Sequence, residues 1–307
     1  MPHAVLEPEP GSVVDAFTHE IAPAVEIESG GRLTVRTLDA NGNLEPWRAL
    51  DQEPHQLFPD GRGHCLAGPI AVAGAEPGQF LAVELHTLTP ATDGFTIAGT
   101  HDNWLNRRLG VHDEKPGFLS WQIDTTASTA TNQHGMAVPI APFLGVIGTA
   151  PGEPGEHSTI PPRTRAGGNI DCRDLTAGAT LYLPVNVPGG YLFVGDGHAA
   201  QGHGEVGGTA IECGMTTELT VSIVDEPAVD AAHAVAPDGR ITIGFSDDLN
   251  AAAGDALASM LTWMQQLLGM SRPEALALAG VTVDLHITQI ANRTWGVHAV
   301  LPYSVAP

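Results

Sequence analysis

The sequence predicts a mainly β protein, a sandwich or barrel core followed by a C-terminal helix pair and one further strand. Three observations lead there. Glycine (36 residues) and proline (24) recur along the whole chain and punctuate short β-like runs, the rhythm of strands and turns in such architectures. Strand-like stretches lie at Leu33–Thr37, Phe80–Leu88, Thr180–Val187, Tyr191–Val194, Leu219–Val224 and Ile241–Phe245. Only the C-terminal part carries a sustained helical period.

Taking the elements in order, Val187-Pro188-Gly189-Gly190-Tyr191 has Pro then Gly at its centre, type II turn chemistry, so 180–194 reads as a hairpin. Over Asp247–Leu268, apolar residues recur at Leu249, Ala253, Ala256, Met260, Met264 and Leu267, one face of a helix and a core stripe. Ser246 reads as its N-cap and Gly269 as its C′ glycine. Ser271-Arg272-Pro273-Glu274 is a capping box opening a second, short helix that ends near Gly280. Val281–Ile287 then alternates like a half-buried strand, with His286 on its polar side and read as a surface residue.

At 307 residues the chain has ample length for a real core. It is read as one domain, 1–307, with candidate subdomain seams or lids near 110–117 and 150–168. Its 35 acidic against 13 basic residues leave a net charge of −22, a field that argues against nucleic acid or an anionic membrane as partner. No apolar run reaches the length of a membrane span, and Met1–Pro10 is acidic where a signal peptide would be basic. Three cysteines without C-x-x-C spacing imply reduced thiols and a cytoplasmic setting. Lys115, in a surface turn, is the single lysine, so lysine-based catalysis is an unpromising reading.

Residues 202–207, GHGEVG, satisfy the letters of a dinucleotide-binding loop. No helix follows, however; the chain runs into the strand-like ELTVSIV, so the motif is a decoy. The surrounding loop nonetheless holds Asp196, His198, His203 and Glu205. Asp196 and His198 sit at i and i+2 of an extended segment and point to one side, so a carboxylate and an imidazole could meet one metal ion. A mixed N/O site of this kind suits zinc or a similar divalent ion, with Glu205 as a general-base carboxylate. Spacing alone leaves this open, because 14 histidines and 35 acids produce close pairs by chance. Cys172 is equally ambiguous, a small buried hydrophobe or a nucleophile.

Residues 160–212, IPPRTRAGGNIDCRDLTAGATLYLPVNVPGGYLFVGDGHAAQGHGEVGGTAIE, resemble the central block of the acetamidase/formamidase family. GPIAVAGAEPGQFLAVEL (68–85), FLGVIGTAPG (143–152) and VDLHITQIANRTWGVHAVLP (283–302) fit the same family in the expected order. The resemblance implies a jelly-roll-like β core with α/β additions and hydrolysis of short aliphatic amides to carboxylate and ammonia. Asp171 falls in the family's G-N-x-D-C-R segment, Asp196 and His198 in G-D-G-H-A-A-Q-G, and Glu205 in the following G-E-V. His64, in GHCLAGPI, matches a histidine present in many members. His203 and Gly207 depart, standing where aspartate and cysteine are expected, and 94–135 matches poorly, as a segment shaping the substrate pocket would.

The expectation is therefore a metal-dependent amidase. Asp171, Asp196 and His198, with His64, are its candidate ligands, Glu205 its proton shuttle, and Asn169 or the Gly167-Gly168 backbone its oxyanion stabiliser. Zinc is the expected ion, calcium an additional candidate, a small amide the substrate and a symmetric homodimer the default assembly. The competing readings are a thiol amidase using Cys172 and a non-catalytic ligand-binding β protein, the latter short of the aromatics such modules present.

Overall fold

The structure is a computed structural model that describes residues 3–100 and 102–305. Met1, Pro2, His101, Ala306 and Pro307 lie outside the described residues, so the readings of Met1–Pro10 and of 94–135 are followed without them.

Alternating apolar positions build two large sheets. One has nine strands, in the order Ala4–Leu6, Gly31–Thr37, Met215–Val224, Phe80–Pro90, Thr180–Pro184, His233–Ala236, Gly239–Ser246, Trp295–Pro302 and Asp284–Gln289. The second has eleven, and its centre matters most here. Leu192–His198 is flanked on one side by Phe143–Thr149, and on the other by Leu66–Val72 along its first half and Glu212–Cys213 along its second. Beyond these lie Gly167–Asn169 and Asp93–Ala98.

The sheets face each other. Leu33, Val35, Leu81, Val83, Leu219 and Val221 of the first join Ile70, Leu144, Ile147, Leu192 and Val194 of the second in one core. Each such side chain contributes roughly 1.5–3 kcal/mol by leaving water. Met215–Val224 alternates between buried and half-exposed positions, the pattern of a strand covered on one face, whereas Leu192–His198 and Phe143–Thr149 are buried throughout.

A short helix, α1 (Trp104–Leu109), lies in the poorly matching segment and was not foreseen. The two C-terminal helices, α2 (Leu249–Leu268) and α3 (Arg272–Thr282), cover the outer face of the nine-stranded sheet. Ala252, Ala256, Met260 and Met264 meet Val297, Ala299 and Leu301 there. Gly244 allows the contact, since a Cβ on it would stand 2.1 Å from the Ala252 carbonyl oxygen.

Three boundaries differ from expectation. The N-cap of α2 is Asp248, whose carboxylate accepts from the Ala251 N–H at 2.8 Å, rather than Ser246, which still ends the preceding strand. Helix α3 runs on through Thr282, whose hydroxyl donates to the Leu278 carbonyl, so the last-but-one strand begins at Asp284 instead of Val281. Residues 180–194 are not a hairpin. The turn itself forms, with Gly190 N–H donating to the Val187 carbonyl at 3.0 Å. Gly189, Gly190 and Tyr191 then all take left-handed conformations, and the chain leaves one sheet for the other. Among the described residues no helix is long and apolar enough to cross a membrane.

Candidate active site

The site grows from the end of Leu192–His198. As the i, i+2 spacing requires, Asp196 and His198 face the same way, with His198 Nε2 3.3 Å from Asp196 Oδ1. Strand pairing places Glu212 directly across from His198, and its Oε2 is 3.2 Å from the same nitrogen. Asp171 follows the strand Gly167–Asn169, and Glu205 arrives on the 201–208 loop. The ligand atoms of Asp171, His198 and Glu205 lie within 4.8 Å of one another, as do those of Asp196, His198 and Glu212. His198 belongs to both groups. All five side chains are buried.

Backbone strain accompanies the convergence. Asp171, Asp196 and Glu205 adopt left-handed conformations with φ of 52°, 58° and 43°. Such conformations cost of order 1–3 kcal/mol each outside glycine and asparagine-like turns, and persist where the surroundings over-determine them. Gly145, on the adjacent strand, supplies the floor. A Cβ there would stand 2.4 Å from Asp196 Oδ2 and 2.7 Å from Asp171 Oδ1. Its carbonyl meanwhile accepts from the N–H groups of Ile170 and Asp171 at 2.9 and 3.1 Å, fixing the turn that presents Asp171.

The polar balance of this cluster is incomplete in a specific way. Both carboxylate oxygens of Asp171, Nε2 of His198 and Oε2 of Glu212 are buried without a well-directed hydrogen bond. Buried polar atoms are nearly always satisfied, so a convergent set of orphans marks a missing partner. Four carboxyl groups around one imidazole cannot all ionise in so dry a setting. Burial, reinforced by Asp196, holds the Asp171 carboxyl well above its usual range; burial and Asp171 do the same to Glu205. Burial, only partly opposed by His198, pushes Glu212 up to about 7. Burial would lower His198, but Glu212 and Asp196 hold it well above its ordinary value. Burial would raise Asp196, yet the His198 and His64 imidazoles bring it below the usual carboxylate range. A divalent cation would answer both the charge and the orphaned atoms, and this donor set, one imidazole with several carboxylates, fits zinc-type N/O ligation.

Other expected residues stand differently. His64 feels the charges of Asp196 and His198, but its Nδ1 is 2.9 Å from Thr159 Oγ1 and its ring is outside the convergent groups. Asn169 donates to the Ile160 carbonyl at 3.1 Å. Gly167 spends its N–H on the Arg163 carbonyl, and the glycine pair lies in a strand rather than a turn. It permits close strand approach, since a Cβ on the paired Gly148 would come 2.6 Å from the Gly168 nitrogen. Cys172 is fully buried and burial pushes its thiol far up, a setting that does not favour a thiolate nucleophile. His286 is half-buried rather than a free surface residue, and stacks on His203 at 4.4 Å.

Two members of the site were not singled out in the sequence, Glu212 and Gln201. Glu212 ends the block 160–212 but has no short-range spacing to the other acids. Gln201 lies three residues after His198 and bonds its Nδ1 at 2.9 Å, while its Nε2 donates to the Asp171 carbonyl at 2.8 Å. Beside the cluster is a cavity of about 600 Å³. Glu205 and Gln201 reach it, Trp121, Ile140 and Ile211 give it apolar wall, and Arg173 stands at its lining. Thr96 and Trp121 come from 94–135, the segment expected to shape the pocket.

The model of the Acetamidase/Formamidase family matches residues 7–157 and 155–305. The fold is similar to that of an acetamidase from Bacillus halodurans, with a TM-score of 0.87, 27% identity and 98% of each chain covered. In sequence it is similar to a formamidase of Methylophilus methylotrophus, 26% identical over 47% of each chain. It is also similar to an acetamidase of Mycolicibacterium smegmatis, 26% identical over 52% of this chain and 53% of that one. The aligned region thus spans about half the length of these curated relatives.

Proposed function

This chain belongs to the acetamidase/formamidase family, and on that premise we propose that it hydrolyses short aliphatic amides to a carboxylate and ammonia. The observation that carries the reading is the set of buried, unsatisfied ligand atoms on Asp171, His198 and Glu212, gathered beside a cavity that Glu205 lines. The Bacillus halodurans relative is named an acetamidase and the Methylophilus methylotrophus relative a formamidase, which supports the same substrate class.

An amide resists water because nitrogen donation quiets the carbonyl and amide anion is a poor leaving group. A zinc-class ion held by Asp171, Asp196 and His198, with Glu212 added and His64 a further candidate, would make hydroxide available near neutral pH and polarise the carbonyl. Glu205 addresses the leaving group. Beside a bound cation its carboxyl would be ionised, and as a carboxylate it would take a proton from the attacking water and deliver it to the amide nitrogen. Gln201 fixes the His198 ring and the Asp171 backbone together. Asn169 keeps one amide N–H beyond its bond to Ile160, and with it the oxyanion role is assigned as part of this proposal. The apolar wall of the cavity offers a surface for the short acyl chain of such an amide. Calcium is the second candidate ion, since the set is rich in carboxylate oxygens. Three buried free thiols fit a reducing, cytoplasmic setting, and a homodimer completes the reading.

The test is ammonia release from formamide, acetamide and longer amides before and after exhaustive chelation. The proposal expects activity that chelation removes and zinc restores, and a Glu205→Gln variant that keeps its metal but loses about 10²–10⁴ in rate. Turnover indifferent to chelation removes the metal from the reading; no ammonia from any amide removes the substrate class.

A further inference from the structure

A second group of titratable side chains lies outside the cluster around His198. His203 from the 201–208 loop, His286 from Asp284–Gln289 and His298 from Trp295–Pro302 bring their ring nitrogens within 4.8 Å of one another. The rings form a stack, His203 to His286 at 4.4 Å and His286 to His298 at 5.0 Å between centroids. Asp174 stands at the edge of this group, with Oδ2 3.0 Å from His298 Nε2 and Oδ1 4.0 Å from His203 Nε2. We propose that Asp174, His203, His286 and His298 form a second metal site, taking a divalent transition-metal ion of the zinc class.

The chemistry of the donors points to that class. Three imidazoles and one carboxylate form a four-ligand set that zinc and its first-row neighbours accept, and that magnesium or calcium would not choose. Zn–N bonds of about 2.0–2.1 Å put tetrahedral ligand atoms roughly 3.3 Å apart. Closing on an ion requires the stacked His203 and His286 rings to turn so that their in-plane lone pairs converge with those of His298 and Asp174, and His203, one-third exposed, and half-buried His286 lie at the surface side of the group. Burial and the neighbouring imidazoles hold His203 down at about 4 despite Asp174, and burial keeps His298 below its ordinary value. His298 is also oriented from behind, its Nδ1 2.8 Å from Thr288 Oγ1. With Nε2 on a metal, Nδ1 becomes the protonated nitrogen and donates to that hydroxyl, the outer partner a ligating histidine needs. Cys172 is within reach of Asp174 and His298 but fully buried, and stays outside the set as a thiol.

The location gives the site a consequence. The 201–208 loop is already sewn to the Asp284–Gln289 strand, since Gly204 N–H donates to the Thr288 carbonyl at 3.0 Å and Ile290 N–H to the Gly204 carbonyl at 2.9 Å. An ion between His203 and His286 pins the same loop through its side chains, two residues from Glu205. His203, which departs from the family's expected aspartate, is the residue that adds the third imidazole.

The experiment is a metal titration of chelator-stripped protein, with Zn²⁺ counted by elemental analysis and Co²⁺ as a spectroscopic probe. Wild type is expected to bind two equivalents. The double variant His203→Ala/His286→Ala is expected to bind one, and Asp171→Asn to retain one that shows the visible bands of low-coordinate, imidazole-bound cobalt. In wild type, side-chain NMR of His203, His286 and His298 is expected to shift with Zn²⁺, which reads the site without any variant. A double variant that binds as much metal as wild type, or histidine resonances unmoved by saturating Zn²⁺, overturns the proposal. Neither result depends on whether the central cluster hydrolyses amides.

Discussion

Gln201 decides which nitrogen of His198 faces the carboxylates. Its Nε2 donates to the Asp171 carbonyl, an acceptor only, so its Oε1 is the end presented to His198 Nδ1 at 2.9 Å. Nδ1 must then carry a hydrogen in either protonation state, and Nε2 is the nitrogen turned to Asp196 and Glu212, the one that would give up its proton to a metal ion. One glutamine thereby sets a tautomer, a ring orientation and the position of a second site residue.

Replacing Gln201 with Ala should release all three. The expected result is a loss of about 10–100-fold in metal affinity and in kcat/KM, the usual cost of removing an outer partner of a metal ligand. Paired measurement of metal content and turnover checks it. An unchanged metal affinity would mean that Asp196, Glu212 and the T-shaped contact with Phe143 at 5.0 Å hold the ring without the glutamine.

Gly145→Ala should damage the site before it damages the fold. The added methyl falls on Asp196 Oδ2 and Asp171 Oδ1 rather than on backbone of the core. We expect a loss of activity of at least 10²-fold, with a stability cost of about 1–3 kcal/mol for overpacking. Thermal unfolding alongside ammonia release separates the two effects.

The metal-free protein should lose stability as pH rises through neutrality. Burial pushes Glu212 up to about 7, above its ordinary value of 4.5. A group raised in this way favours the fold in its protonated form. Its contribution is complete below the unfolded value and disappears as pH climbs through the folded one. For Glu212 this is on the order of 3 kcal/mol between pH 4.5 and 7, and a bound cation should remove the trend by stabilising the ionised form. Denaturant unfolding of chelated wild type and Glu212→Gln across this range should show a steeper slope in wild type.

His233 should act in the opposite sense. It is buried, stacked on Tyr182 at 4.8 Å with the Trp263 edge at 5.2 Å, and burial holds it down at about 4. Its Nδ1–H donates to the Ala231 carbonyl at 2.7 Å. A histidine depressed on folding contributes stability that is present above its unfolded value of 6.5 and lost as pH falls toward 4. Acid unfolding of wild type should therefore begin at higher pH than that of His233→Gln, with both proteins chelated so that the central site contributes equally to the two curves.

The sequence by itself determined the local order and the chemistry of single segments. Turn glycines and prolines, alternating strands, the α2 stripe ending at Gly269 and the Ser271–Glu274 box are legible because their causes lie within a few residues. The same holds for the shared face of Asp196 and His198, which the i, i+2 spacing anticipates although the left-handed backbone of Asp196 is set by its surroundings, and for the long blocks that carry the family resemblance. Tertiary structure decided what no spacing encodes. Strand pairing set Glu212 against His198, the neighbouring strand brought Gly145 beneath both aspartates, and Pro188-Gly189 proved to join two sheets rather than one hairpin. His286 read as a surface residue because its partners, His203 and His298, come from other stretches of chain. Local periodicity reports which face a side chain takes. Which distant face it meets depends on sheet order, and sheet order is settled by burying the whole core at once.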